Sequence, residues 1–239
     1  MSEEYVTQND GVYRVASTRV SLDSVVYSRK GGESAESIQR SFSTLTLEQV
    51  HGAIAYYLAH VAEIDRYLIE GERELEKLKR ASREAYPGRT NAILDSNTYA
   101  RYETHAWYEK LERSRKEIVD SSGEKTCFQA DVNLNENIVT GVLRRVPEID
   151  FQTAREARLP GLIDFQVLDL AAHQKRILVT QDPRTIPKHV DDSRRVRGNL
   201  GILIISQKSN IEPAIEELIL IWKAFDSWDH VEKTLYLDL

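Results

Sequence analysis

Three aspartates in the second half of the chain have the type and placement to do chemistry. Asp131 closes the apolar run Cys127-Phe128-Gln129-Ala130, and Asp182 closes Ile177-Leu178-Val179-Thr180-Gln181. Asp164 opens a helical stretch after Leu159-Pro160-Gly161. In a parallel sheet the carboxyl ends of the strands face one crevice, and ligands bind there. Carboxylates gathered at such a point repel one another unless a hard cation lies among them, and Mg²⁺ takes oxygen ligands of this kind. The chemistry indicated is metal-dependent hydrolysis of a phosphodiester, with the ion as Lewis acid and source of bound hydroxide. The alternative is local. Asp often caps a helix or turns the chain, and each of the three could do only that.

These residues need a scaffold, and the second half of the chain reads as one. Strands are expected over 127–131, 149–153, 177–181 and 201–206, with a last edge strand over 234–237. Helices are expected over 136–145, 163–174 and 211–225. Such alternation argues an α/β fold with a parallel sheet and flanking helices. Ahead of it, Ser121-Ser122-Gly123-Glu124-Lys125 reads as a linker.

The first half reads as a small, mostly helical unit. Short strands are expected at Val12–Val15 and Arg19–Leu22, around a turn at Ala16-Ser17-Thr18. A helix after Asp23 stops at Gly31-Gly32. Ser34 opens a second helix, and Thr46-Leu47-Glu48-Gln49 is a capping start for a third. From there Val50, Ile54, Tyr57, Leu58, Val61, Ile64 and Leu68 keep helical spacing. Charge dominates from Glu70 to Glu84, as on a long, partly exposed helix. The division that follows is 1–84, a docking region over 85–125 with Tyr99, Tyr102, Trp107 and Tyr108 as anchors, and 126–239.

The formal net charge of -6 excludes a uniformly basic nucleic-acid coat, but not a local basic groove. The single cysteine, Cys127, cannot form an internal disulfide, which fits a reducing cytoplasm. The acidic start Met1-Ser2-Glu3-Glu4 has no signal-peptide core, and no apolar run is long enough to span a bilayer. A cytoplasmic protein without membrane contact is expected. The six histidines form no zinc pattern.

Cys127 to Leu237 resembles the PIN-like toxin domains related to VapC ribonucleases. The resemblance lies in Phe128-Gln129-Ala130-Asp131-Val132-Asn133-Leu134-Asn135, in Ile149-Asp150-Phe151-Gln152-Thr153-Ala154, in Gly161-Leu162-Ile163-Asp164 and in Lys175-Arg176-Ile177-Leu178-Val179-Thr180-Gln181-Asp182. Gly11 to about Glu84 resembles VapB-like antitoxins with a helix-turn-helix core, through Ser17 to Tyr27 and Leu45 to Leu58. Together they imply a toxin and its antitoxin fused in one chain. The implied activity is an endoribonuclease dependent on Mg²⁺ or Mn²⁺, with RNA as substrate. Asp131, Asp164 and Asp182 would be its catalytic metal ligands, with Asn133 as a further one. Position 133 is often Asp in this group and position 181 often His, whereas this chain has Asn133 and Gln181. Those departures leave open a catalytically degenerate domain in an RNA-binding protein or a DNA-binding regulator.

Around the site, Thr180, Arg184, Lys175 and Arg176 are expected to orient water or to meet phosphate. The helix-turn-helix is expected over 34–58, with Gln49 and His51 as candidates to face operator DNA. A nuclease fused to its antitoxin should be restrained by its own chain, or by a neighbouring copy in a homo-oligomer. A guanidinium among the three carboxylates would exclude the metal, and the expected donors are Arg83, Arg89, Arg101, Arg113 and Arg115.

Overall fold

The computed structural model describes residues 5–9, 11–85, 125–186, 201–224 and 234–237. Of the docking region over 85–125, residues 86–124 lie outside the described residues, and with them the linker apart from Lys125.

The chain starts with an antiparallel hairpin of β1 (Val6–Asn9) and β2 (Val12–Val15). Gly11 lies in its turn at φ 76°, a conformation open to glycine at little cost. The partner of β2 is therefore β1, upstream, and not the segment Arg19–Leu22 expected from the sequence. That segment makes only an isolated bridge, Ser21 to Arg14. The cause is a tight turn in which Ser17 takes φ 63° and the Thr18 hydroxyl donates to Val15 O while accepting from Val20 N. The turn leaves Arg19 at the head of a short connection rather than in a ladder.

Four helices follow. Helix α1 (Leu22–Lys30) is capped by Ser21 and ends at Gly31, and α2 (Ala35–Ser41) is capped by Ser34. Helix α3 (Leu47–Ala59) opens on a capping box between Thr46 and Gln49. The apolar spacing predicts one helix onward to Leu68, but the chain breaks at His60 and restarts as α4 (Val61–Ala85). The apolar period survives the break because Val50, Ile64 and Leu68 all face one core.

The second half is β3 (Phe128–Ala130), α5 (Glu136–Arg145), β4 (Phe151–Gln152), α6 (Asp164–His173), β5 (Ile177–Thr180), β6 (Ile202–Ile205), α7 (Ile211–Ala224) and β7 (Thr234–Leu237). The five strands form one parallel sheet in the order β4-β3-β5-β6-β7. The strand order reverses between β3 and β5, which makes their carboxyl ends the switch point of the sheet.

Alternation along the strands sends side chains to two cores. Leu178, Ile202 and Ile204 pack on one face with Leu168 and Ala171 of α6. Val15, Leu22, Val50, Ile64 and Leu68 of the first half join that same cluster. Ile177, Val179, Leu203 and Ile205 pack on the other face, with Val142 of α5 and Leu218 of α7. The first half is thus continuous with one of the two cores of the sheet.

Helix α7 also buries a carboxyl. Glu217 is 3% exposed, and its Oε1 has no hydrogen-bond partner among the described residues. Burial pushes its pKa up to about 7. A raised acid contributes stability below its unfolded pKa, and that contribution is lost as pH rises through the folded value. Glu217→Gln is therefore expected to gain on the wild type between pH 5 and pH 8, in urea unfolding at both. An identical pH response of the two proteins would contradict it.

Candidate functional site

Each aspartate is placed by a different local device. The Asp131 backbone N–H donates to Val179 O at 2.9 Å and ties the end of β3 to β5. Its buried carboxylate accepts from Thr180 Oγ1 at 2.8 Å through Oδ2. Asp164 is the first residue of α6, also buried, where the helix N-terminus favours an anion. Asp182 lies just past β5. Its Oδ1 accepts from the N–H groups of Arg184 at 2.9 Å and Thr185 at 3.0 Å, and its Oδ2 from the Thr185 hydroxyl. Asp182 thus also turns its own chain, as the local alternative expects.

A cation stands between the first two. Arg19 Nη2 lies 3.1 Å from Asp131 Oδ1 and 2.7 Å from Asp164 Oδ1, and Arg19 Nε donates to Asp164 Oδ1 at 2.8 Å. Arg14 Nη2 donates to the other oxygen of Asp164 at 3.2 Å, and its Nη1 donates to Arg19 O at 3.1 Å. Asp131 and Asp164 therefore share one guanidinium at the switch point of the sheet, while Asp182 is held by its own loop.

The titration of the pair reflects that exchange. Burial pushes Asp164 up, but the charges of Arg19 and Arg14 outweigh it and hold the carboxyl below its ordinary value. The stability this contributes is present above the ordinary carboxylate range and is lost as pH falls through the folded value. For Arg19, burial works against the charge, but Asp131 and Asp164 overcome it and raise the guanidinium further.

The donor chemistry here, hard carboxylate oxygens, suits Mg²⁺ or Mn²⁺. The arrangement does not fit either ion. Arg19 occupies the space between Asp131 and Asp164, and Asp182 is taken up by its own loop. Among the described residues no three His, Cys, Asp or Glu side chains come close enough to hold a metal.

The remaining candidates separate. Asn133 is fully buried at the site and hydrogen-bonds the Arg19 segment as well as Asp131. Gln181 straps the scaffold, accepting from Asn135 N at 2.9 Å and donating to Ser206 O at 3.3 Å. Lys175 and Arg176 precede β5, so they lie at the opposite end of the sheet from the aspartates. Arg176 is engaged there with both oxygens of Asp150 and with Phe128 O. The expectation that these two residues meet substrate at the site is corrected on that ground.

Arg184 also turns away from the site. Its Nε donates to Asp23 Oδ2 at 3.1 Å and its Nη2 to Tyr67 O at 2.7 Å, with the guanidinium 3.7 Å from the Tyr67 ring centroid. Gly71 makes room for it, since a Cβ there would lie 1.9 Å from Arg184 Nη2. The halves thus exchange arginines: Arg19 enters the carboxylates of the second half, and Arg184 enters the first half.

The helices expected over 34–58 form as α2 and α3, and the Gln49 side chain is engaged within the first half. It accepts from Thr46 N and donates to Ala16 O. The Tyr5 ring also covers α3 at Gly52, and Tyr5 Oη donates to Glu48. His51 is exposed. The sequence reading missed Arg19, Arg14 and Asp23. The one local sign was the Ala16-Ser17-Thr18 turn, which ends on Arg19. Of the arginines expected to enter the site, Arg89, Arg101, Arg113 and Arg115 lie outside the described residues, as does the side chain of Arg83.

Residues 7–57 match a family described as a protein of unknown function, DUF433. No curated protein and no solved structure matches the chain. Among the described residues no helix is long and apolar enough to cross a membrane.

Proposed function

We propose that this chain is a ribonuclease of the PIN-like, VapC-related kind, fused to a VapB-like unit that holds it closed. Asp131 and Asp164 are its central acidic residues, with Asp182 beside them and the Thr180 hydroxyl orienting Asp131. The observation that carries this reading is the position of Arg19 Nη2, within hydrogen-bond reach of both carboxylates at the switch point of a parallel sheet. A guanidinium there takes the place of the cation that clustered carboxylates require. Withdrawal of Arg19 leaves the carboxylates free for Mg²⁺ or Mn²⁺, and single-stranded RNA is the substrate class proposed.

The test uses the full chain, wild type and Arg19→Ala, with Mn²⁺ and an RNA oligonucleotide carrying a fluorophore and quencher. Arg19→Ala is expected to cleave at least about tenfold faster than the wild type, and Arg19→Ala with Asp131→Asn not at all, since removing a group that acts on the reacting centre costs orders of magnitude. A folded Arg19→Ala chain that binds Mn²⁺ but leaves the RNA intact would remove the nuclease reading.

A further inference from the structure

Asn133 has a task that a metal ligand would not need. Its side chain makes three hydrogen bonds, and two of them reach the main chain of the first half. Its Oδ1 accepts from Ser21 N at 2.8 Å, and its Nδ2 donates to Arg19 O at 3.2 Å and to Asp131 Oδ2 at 3.3 Å. The side chain is fully buried, so water does not substitute for any of these bonds.

The three bonds fix which end of the amide faces which group. The oxygen meets an N–H, and the nitrogen meets two acceptors. A flipped amide would set oxygen against Arg19 O and against Asp131 Oδ2. An aspartate at 133 could still accept from Ser21 N, but it would face the other two as acceptor against acceptor. The amide therefore suits the docked segment, at a position where a carboxylate would have suited a cation.

We propose that Asn133 is a positioning residue that registers the segment Arg19–Ser21 against the sheet, so that the Arg19 guanidinium falls between Asp131 and Asp164. It touches neither nitrogen of Arg19 that binds the carboxylates. It acts through the main chain, by holding the carbonyl of Arg19 and the N–H of Ser21. Arg14 Nη1 donates to the same carbonyl. Docking and charge are then separate functions: Asn133 supplies the register, and Arg19 supplies the cation. The proposal deepens the closed-site reading above and rests on it, but its test needs neither metal nor RNA.

The experiment is NMR on the full chain without divalent ions. In the wild type, the Arg19 Nε–H bonded to Asp164 should give a resolved, slowly exchanging side-chain signal, and the Ser21 amide should be protected. In Asn133→Ala the Arg19 Nε–H signal is expected to broaden or vanish, and the Ser21 amide to exchange at least tenfold faster. Amides of β6 and α7 should keep their wild-type rates. In Arg19→Ala the Ser21 amide should stay protected, because the main-chain contacts of Asn133 remain.

Loss of the Arg19 signal on a substitution that does not touch its guanidinium separates positioning from packing. If Asn133→Ala does not fold, the near-isosteric Asn133→Asp carries the same measurement, read on the Arg19 Nε–H and on exchange across residues 15–24. An unchanged Arg19 signal and unchanged exchange in a folded Asn133 variant overturn the proposal. That result leaves the nuclease reading standing, whereas absence of RNA cleavage by Arg19→Ala leaves the positioning result standing.

Discussion

Arg19→Ala is expected to lower the unfolding free energy of the full chain by about 3–5 kcal/mol when divalent ions are absent, the usual cost of removing one partner of a buried ion pair. The Asp131 side chain is fully buried and that of Asp164 nearly so. With the guanidinium gone, two buried carboxylates are left with Arg14 as the remaining paired cation among the described residues. Mn²⁺ should then stabilise the variant, by about 2.7 kcal/mol at a hundredfold excess over its dissociation constant. The wild type should respond far less, because Arg19 already occupies the space. Thermal unfolding of both proteins in chelator and in Mn²⁺ measures the two effects together. If the variant melts like the wild type and ignores Mn²⁺, the carboxylates do not form a closed cation site.

The second large effect is expected at the opposite arginine. Arg184→Ala removes the partner of buried Asp23, together with the contacts to Tyr67 O and the Tyr67 ring. A loss of about 3–5 kcal/mol is expected near pH 8. The loss should be smaller near pH 5, for the following reason. Burial pushes Asp23 up to about 6, against the pull of Arg184. Without Arg184 the burial cost is unopposed, and the folded pKa moves higher still. A raised acid contributes stability below its unfolded pKa and loses it as pH rises through the folded one, so the deficit of the variant grows from pH 5 to pH 8. Arg184→Lys should not restore the wild type, because an ammonium lacks the flat face that lies over Tyr67. Urea unfolding of the three proteins at both pH values decides the matter. A deficit that is the same at pH 5 and pH 8 would mean that Asp23 does not titrate against Arg184.

These arginines mark the limit of what the sequence disclosed. The alternation of apolar runs and helical periods pointed to a parallel sheet, because strand and helix periods are local and each connection between strands is long enough for the helical crossover that parallel pairing needs. The same pattern set Asp131 and Asp182 just past strand ends and Asp164 at a helix start. It also held the reason why Arg176 lies far from them, since a residue before a strand belongs to the amino end of the sheet. The capping of α2 and α3 was legible in Ser34 and Thr46, whose side chains act within a few residues, whereas α1 begins at Leu22 on a Ser21 cap, inside the segment expected as a strand. The break at His60 was not, because the apolar period runs on through it.

Only the tertiary structure decided what occupies the crevice. Arg19 meets Asp131 across 112 residues and Asp164 across 145, and Arg184 meets Asp23 across 161. No periodicity spans such distances, and an arginine after a tight turn looks the same in sequence whether it points into water or into carboxylates. The docking is set by the shared core, in which Leu22, Ile64 and Leu68 pack in one cluster with Leu178, Ile202 and Ile204. Once that apolar surface is buried, the connection after β2 is carried to the ends of β3 and β5, and charge settles the rest. The sequence placed the carboxylates at strand and helix ends; the packing of its two halves determined that a guanidinium stands between Asp131 and Asp164.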